Sequence, residues 1–259
     1  MERDWENFLL PYEEAVKELK LKFRTLRSQF EKEGHCPIEF VTGRVKPVAS
    51  IKEKMVRRQI REERLADDME DIAGIRIMCQ FVEDIYTVVD IIGKRSDMQI
   101  IEERDYIANQ KPSGYRSYHI VVRYPVQLLD EQTNIKVEIQ IRTLAMNFWA
   151  TIEHSLGYKY RGMFPKELKE RLARSAEAAF LLDNEMSSIR EEIQEAQELF
   201  NNKIKFIEKG QPPSQFEMIK EYHDERKLSL RLQFLQMMEN NLKTSSKGLK
   251  NVLLSDISF

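Results

Sequence analysis

Residues 137–142 read Val-Glu-Ile-Gln-Ile-Arg, a strict alternation of apolar and polar side chains. A strand points successive side chains to opposite faces, so Val137, Ile139 and Ile141 share one face and Glu138, Gln140 and Arg142 the other. This segment rules out an all-helical fold. It asks for a sheet covered on one side and open enough on the other to hold a carboxylate, an amide and a guanidinium. A second run at 73–81, Ala-Gly-Ile-Arg-Ile-Met-Cys-Gln-Phe, puts Ile75, Ile77, Cys79 and Phe81 on one face and Gly74 and Arg76 opposite. If both apolar faces meet the same helices, Arg76 and Glu138 project from one side of the sheet, and Gly74 keeps that side clear for a ligand. Two plainer readings of Glu138 also stand: a charge at a sheet edge, or a simple ion pair with Arg76.

Periodicity supplies the other elements. Phe8, Tyr12, Val16, Leu19, Phe23, Leu26 and Phe30 recur at intervals of three and four, which predicts a helix over 4–32. Pro11 suits a first turn, where its missing N–H costs nothing, so the long helix is expected to begin just before it. Gly34 closes this helix, residues 37–44 run extended, and Pro47 opens a helix to about residue 60. A helix at 84–94 and strands at 98–105, 116–125 and 135–143 follow, which gives an α+β fold with a mixed sheet and helices on one side. Helix 145–160 is expected to turn Trp149, Ile152, Leu156 and Tyr160 inward. Helix 166–200 carries a stripe of Leu168, Leu172, Ala176, Leu182, Met186, Ile189 and Ile193, which needs covering by the domain itself or by another subunit.

The expected organisation is one domain over 1–200, made of an N-terminal helix at 1–33, a catalytic sheet with its helices at 34–160 and a long C-terminal helix at 161–200. A linker at 209–214 and a helical pattern at 215–243 lie in a tail, 201–259, that is helical or disordered and has no assigned role. With 42% hydrophobic residues the chain can build a core, and a net charge of −2 gives no global field to gather nucleic acid. A locally basic cleft is still compatible with that charge. Cys36 and Cys79 show no metal-binding spacing and fit a reducing compartment. No apolar run approaches 18 residues and the start, Met1-Glu-Arg-Asp-Trp5, is charged, so a cytoplasmic protein with no membrane association is expected.

Several groups can do chemistry. Lys111-Pro-Ser-Gly-Tyr-Arg-Ser-Tyr-His119 packs cations, phenols and a histidine around one Ser-Gly turn. Tyr115 is expected on that turn with its ring exposed, where a ring flanked by cations can stack on a base. His119 on its strand reads equally as a structural group. Arg44, Lys46, Ser50, Lys54 and Arg57 surround a helix start whose free N–H groups suit phosphate, though a generic basic helix is the alternative. There is no Walker A loop and no G-x-G-x-x-G. Asp71 at a strand entry and Glu138 in mid-strand are a pair that can hold Mg²⁺, provided the chain bends at 72–73. Asn147 either reads a base edge or stabilises its helix start. Lys20, Arg24 and Arg27 make a basic stripe on the first helix, which is a solvated face or an anion site.

Together these residues resemble the synthetase domain of the RelA/SpoT family, and most closely its small alarmone synthetases. The matching stretches are Phe40-Val-Thr-Gly-Arg-Val-Lys46, Asp71-Ile-Ala-Gly-Ile-Arg76, Ser113-Gly-Tyr-Arg-Ser-Tyr-His119, Val137-Glu-Ile-Gln-Ile-Arg142 and Asn147-Phe-Trp-Ala-Thr-Ile-Glu-His154, spread over about residues 4–200. The resemblance implies a nucleotidyltransferase fold like the palm of polymerase β. It implies transfer of the β,γ-pyrophosphate of ATP to the 3′-hydroxyl of GTP or GDP, giving AMP and (p)ppGpp. Arg44 and Arg76 would then sandwich adenine, and Lys46, Ser50, Lys54 and Arg57 would hold the ATP phosphates. Asp71 and Glu138 would bind Mg²⁺, with Glu138 also taking the 3′-hydroxyl proton. Tyr115 would stack on guanine and Asn147 would help read it. Lys111 would join the guanine-nucleotide site, and His119 would sit near the acceptor phosphates. A homotetramer is implied too, with (p)ppGpp as activator at Lys20, Arg24, Arg27, Glu39, Phe40 and Thr42. His223-Asp224 is similar to a dipeptide of the family's hydrolase domain but lacks its partners, so coincidence explains it. The alternative function is a catalytically idle oligomer that binds alarmone or single-stranded RNA. A polymerase-like transferase would need a close Asp-x-Asp pair, which the sequence does not show clearly.

Overall fold

The computed structural model describes residues 3–32, 34–159 and 165–208. Expectations for Tyr160, the 209–214 linker, the 215–243 helix and His223-Asp224 fall outside these residues. Two units are distinguished, residues 1–191 and 192–259, and everything that positions the site belongs to the first.

The elements in order are α1 (Trp5–Phe30), β1 (Phe40–Val45), α2 (Val48–Arg58), a short 3₁₀ turn (Glu62–Arg64), α3 (Leu65–Asp68), β2 (Ala73–Cys79) and α4 (Val82–Gly93). Then come β3 (Gln99–Asp105), β4 (Tyr118–Gln127), β5 (Gln132–Thr143), α5 (Leu144–Lys159) and α6 (Lys166–Glu208). The strands form one five-stranded sheet in the order β1-β2-β5-β4-β3. Its central pair, β2 and β5, is parallel, with Gly74 opposite Glu138 and Arg76 opposite Gln140; the other pairs are antiparallel. This is the α+β mixed sheet that the alternation predicts.

The core forms where the apolar faces meet the helices. Ile75, Ile77, Val137, Ile139 and Ile141 are fully buried in one cluster with Val16, Leu19 and Phe23 of α1 and Ile85, Val88 and Ile92 of α4. Truncating one of the large members to Ala would cost about 2–5 kcal/mol. At Gly43 a Cβ would lie 2.8 Å from Ile75 Cδ1 and 3.0 Å from both Lys20 Cδ and Val16 Cγ1. Glycine there lets α1 lie directly on β1.

Pro11 is not in a first turn. α1 starts at Trp5, where the Asp4 side chain accepts a hydrogen bond from the Asn7 N–H, and runs through Pro11. A proline inside a helix costs about 3 kcal/mol. The Asp4 cap offsets about 1 kcal/mol. Trp5 and Phe8, packed against the core with ring centroids 5.8 Å apart, further anchor the extra turns.

α5 departs from expectation, and the domain itself leaves much of the α6 stripe uncovered. α5 turns Met146, Trp149 and Ala150 inward, whereas Ile152 and Leu156 remain exposed at 45% and 41%. Among the described side chains of α6, Ala176, Asp183 and Ser187 are buried, and the apolar residues Leu182, Met186, Ile189 and Ile193 are exposed. The helix packs Leu172, Ala176 and Ala179 against Trp149 and Ala150, and polar anchors add to that contact. Arg116 donates to Glu177 (2.9 Å), Thr143 to Asp183 (2.6 Å), Ser187 to Glu83 (3.0 Å) and Arg190 to Asp84 (3.2 Å).

Candidate active site

The two carboxylates share a cavity. Asp71 and Glu138 line one cavity of about 250 Å³, together with Thr42, Arg44, Gly74, Arg76 and Gln140. The bend that Asp71 needs is present, because the chain turns at 70–72 just before β2. The Lys46 N–H donates to the Ile72 carbonyl at 2.7 Å and so pins this turn beside β1. Gly74, opposite Glu138, leaves the cavity open: a Cβ there would meet only the Arg44 carbonyl oxygen, at 3.9 Å.

Asp71 accepts from Lys46 Nζ at 2.9 Å and from Lys54 Nζ at 2.6 Å. Burial pushes its carboxyl up, but the two ammonium groups outweigh burial and hold it below its ordinary value. Ser50 lies in the first turn of α2, where no side chain caps the exposed N–H groups. Arg57 and Arg44 are exposed, Arg44 at the cavity wall and Arg57 further along α2. Of the residues expected to hold phosphate, Lys46 and Lys54 contact Asp71, and Ser50 and Arg57 lie on α2 with Lys54.

Glu138 has different partners. His119 Nδ1 lies 3.0 Å from Oε1, and Gln140 Nε2 donates to Oε2 at 2.7 Å. Burial again works against ionisation and is again overcome, here by His119 and Gln140, so Glu138 is held below its usual range. Arg76 does not pair with Glu138; its Nε donates to Gln140 Oε1 at 3.2 Å. Both carboxylates are ionised at neutral pH and stand among Arg44, Lys46, Lys54, Arg76 and Lys111. Such an excess of cations suits a polyanionic ligand.

On the other side of Glu138 lies the 111–115 turn. The Gly114 N–H donates to the Lys111 carbonyl at 2.8 Å, and Gly114 has φ +85. Tyr115 sits on the turn as predicted, but its ring is not freely exposed. It is half-buried, its hydroxyl lies 2.8 Å from His119 Nε2, and Arg142 Nη2 donates to the same hydroxyl. Burial raises the Tyr115 pKa, which keeps it a phenol. The reason is packing: α6 covers the turn, and Arg116, itself buried, stacks on Phe180 at 4.0 Å. Lys111 Nζ lies 4.9 Å from the Tyr115 ring centroid and 4.3 Å from that of Tyr106. His119 bridges Tyr115 and Glu138. Asn147 lies in the first turn of α5, and its side-chain oxygen is buried without a hydrogen-bond partner. An unpaired buried acceptor has unused hydrogen-bonding capacity.

The α1 stripe and its expected companions are divided. The stem of Lys20 covers Gly43, Arg24 is exposed, and Arg27 Nε pairs with Glu31 at 3.2 Å. Glu39 accepts from Gln80 at 2.7 Å, Phe40 is exposed, and Thr42 lines the carboxylate cavity.

The sequence reading gave no role to Gln140, Arg142 and Tyr106. A signal existed for the first two, since they share the parity of Glu138 on β5. None existed for Tyr106, which reaches the site only through the path of the chain, its ring centroid 5.2 Å from that of His119.

Among the described residues no three His, Cys, Asp or Glu side chains gather as a metal site. Mg²⁺ does not need three, because one or two carboxylates and substrate phosphates complete its shell. Asp71 and Glu138 on one cavity fit that requirement.

The chain is similar to known proteins along most of its described length. The family described as "Region found in RelA / SpoT proteins" matches residues 43–163. The chain is 57% identical over 205 residues to GTP pyrophosphokinase YjbM of Bacillus subtilis, covering 79% of this chain and 97% of that protein. A GTP pyrophosphokinase family protein from Streptococcus pneumoniae superposes with a TM-score of 0.71 at 61% identity, over 76% of this chain and 98% of that one. The small alarmone synthetase 1 of Bacillus subtilis bound to its product pppGpp gives 0.72 at 57% identity, over 74% and 100%.

Proposed function

The chain belongs to the RelA/SpoT family, and we propose that it is a GTP pyrophosphokinase that makes (p)ppGpp and AMP from ATP and GTP or GDP. The observation that carries this reading is the single cavity on which Asp71 and Glu138 converge, with phosphate-binding cations on one side and the Tyr115 turn on the other.

In this reading the acceptor's 3′ oxygen attacks the β-phosphorus of ATP. The new O–P bond forms as the bond from that phosphorus to the AMP oxygen breaks, and the hydroxyl proton passes to Glu138. Arg44 and Arg76 take the adenine. Lys46, Lys54, Ser50 and Arg57 take the ATP phosphates, and the lysines leave Asp71 for the more highly charged ligand. Tyr115 stacks on guanine, with Lys111 and His119 beside the acceptor. The free oxygen of Asn147 accepts from the guanine edge. Asp71 and Glu138, with the phosphates, would hold Mg²⁺, which would supply neutralisation of the charge that spreads in transfer.

Two further features belong to the proposal. The exposed apolar residues of α5 and α6, among them Phe148, Ile152, Leu182 and Met186, support assembly into a homotetramer. Lys20, Arg24 and Arg27 serve (p)ppGpp as a regulatory site, and Arg24→Ala should displace the activation curve to higher product concentration. No helix among the described residues is long and apolar enough to cross a membrane, and the cytoplasm, where ATP and GTP are found, is the proposed location.

The test is direct. Purified protein is incubated with labelled ATP, Mg²⁺ and either GDP or GTP, and products are separated by charge. Label from the γ-position should move to a guanosine product with equimolar AMP. Release of inorganic phosphate without such a product would overturn the assignment.

A further inference from the structure

Arg142 is buried, 4% exposed, and it is a charged residue that the transfer step itself does not use. Burying a guanidinium is costly unless every direction is satisfied. Here its Nε donates to Ser117 Oγ at 3.1 Å, and its Nη2 donates both to the Tyr115 hydroxyl and, at 2.7 Å, to Gln140 Oε1. The two Nη2 contacts lead by separate routes to one carboxylate. One runs from the Tyr115 hydroxyl to His119 Nε2 (2.8 Å) and from His119 Nδ1 to Glu138 Oε1 (3.0 Å). The other runs from Gln140 Nε2 to Glu138 Oε2 (2.7 Å). Arg142, Tyr115, His119, Glu138 and Gln140 therefore close a ring of side chains.

Counting donors and acceptors orders this ring. Arg142 can only donate, so the Tyr115 oxygen accepts from it and turns its own O–H toward His119 Nε2. That leaves the ring N–H on Nδ1, aimed at Glu138. On the second arm Arg142 and Arg76 both donate to Gln140 Oε1, which fixes the amide with its NH₂ toward Glu138. Each oxygen of Glu138 thus receives one donor whose orientation traces back to Arg142.

We propose that Arg142 is a positioning residue that fixes the separation between the Tyr115 ring and the Glu138 carboxylate. The inference rests on the functional reading above, in which guanine stacks on Tyr115 and Glu138 takes the 3′-hydroxyl proton. A guanosine spans those two groups, so a rigid link between them sets where the reacting oxygen arrives. Misplacement of about 1 Å at a reacting atom can cost on the order of 10²-fold in rate. Stacking needs the aromatic face and not the hydroxyl, so the link and the stacking surface can be separated by mutation.

Tyr115→Phe keeps the ring and removes one arm. We expect kcat to fall about tenfold while KM for GDP stays within about twofold, a split that marks an interaction made in the transition state. Arg142→Lys keeps the buried charge but cannot reach both partners, so it should lower kcat similarly and fail to rescue. The double variant should be little worse than either single one, because both break the same link. Melting temperatures measured alongside identify a variant that has merely unfolded, and Tyr115→Phe, with its ring in place, carries the test if Arg142→Lys does not fold. A Tyr115→Phe enzyme with unchanged kcat, or with only KM raised, would overturn the proposal while leaving the reaction intact. If the unaltered protein makes no guanosine product at all, the functional reading fails first.

Discussion

Asp71 and Glu138 line the same cavity but are held by different partners, two lysines for the first and a histidine and an amide for the second. Their removal should therefore differ in kind. Glu138→Gln should fold normally and lose about 10²–10⁴-fold in turnover, the usual cost of a positioned base. Asp71→Asn should raise the Mg²⁺ concentration needed for activity. Titrating Mg²⁺ in both variants separates the roles, and a wild-type Mg²⁺ dependence in Asp71→Asn would take that residue out of the site.

Lys54 serves a ligand and the fold at once. Lys54→Met should raise KM for ATP about tenfold, since charge-assisted contacts are worth roughly 1.5–3 kcal/mol. It should also lower stability at pH 7. The Asp71 carboxyl is held below its ordinary value of 3.8 in the folded state, so its stabilisation is present above that value and lost as pH falls through the lowered one. Urea midpoints of wild type and variant should differ at pH 7 and converge at acid pH. A constant gap would show that the ion pair contributes nothing.

Gly114 combines a left-handed backbone with a close neighbour: a Cβ there would come within 2.5 Å of Ala176 Cβ. Gly114→Ala should cost about 1–3 kcal/mol and raise KM for the guanine nucleotide, because α6 would be pushed off the turn that carries Tyr115. Adding Ala176→Gly should recover part of the stability by removing the clash, though not the part due to φ. Full recovery in the double variant would mean that the backbone conformation carries no strain.

Asp183 is pushed up to about 6, by burial first and by the nearby Glu83, against the hydrogen bond from Thr143. A folded-state value above the ordinary 3.8 means that the native protein binds this proton more readily than the unfolded chain. Ionisation at Asp183 therefore opposes folding fully above about pH 6, and the penalty fades as pH drops toward 3.8. Asp183→Asn should thus show its largest relative advantage at pH 7–8, on the order of 1–2 kcal/mol or several degrees in Tm, keep about half of it near pH 5 and lose it only below about pH 4. Thermal melts across that range check the slope. A pH-independent difference would place the Asp183 carboxyl at its ordinary value.

The parts of the fold legible from sequence were those with a strong period. Alternation at 137–142 placed Glu138, Gln140 and Arg142 on one face, and the order of elements gave a mixed sheet. What periodicity could not weigh was competition between forces. It put Pro11 in a first turn because it could not see the Asp4 cap and aromatic contacts that let α1 start earlier. It turned Ile152 and Leu156 inward because apolar residues at helical spacing look alike whether or not a neighbour covers them. It left Tyr115 exposed because nothing local announces that α6, far along the chain, will close over the turn. Buried charge was the hardest case: Arg142 reads as a surface cation until the ring of partners is seen.

The turn joining β4 to β5 lies at the far end of the strands that carry His119 and Glu138. Gln127 faces Gln132 beside the turn, whereas Val121 faces Glu138, about 20 Å away at ~3.3 Å per residue. Leu129 at its tip is 96% exposed, and the Leu128 N–H closes the turn on the Glu131 carbonyl. The enzyme thus offers a natural graft point. A fluorescent or affinity module spliced between Leu129 and Asp130 would be carried on a stiff stem, reporting on the molecule without entering the space where nucleotides meet.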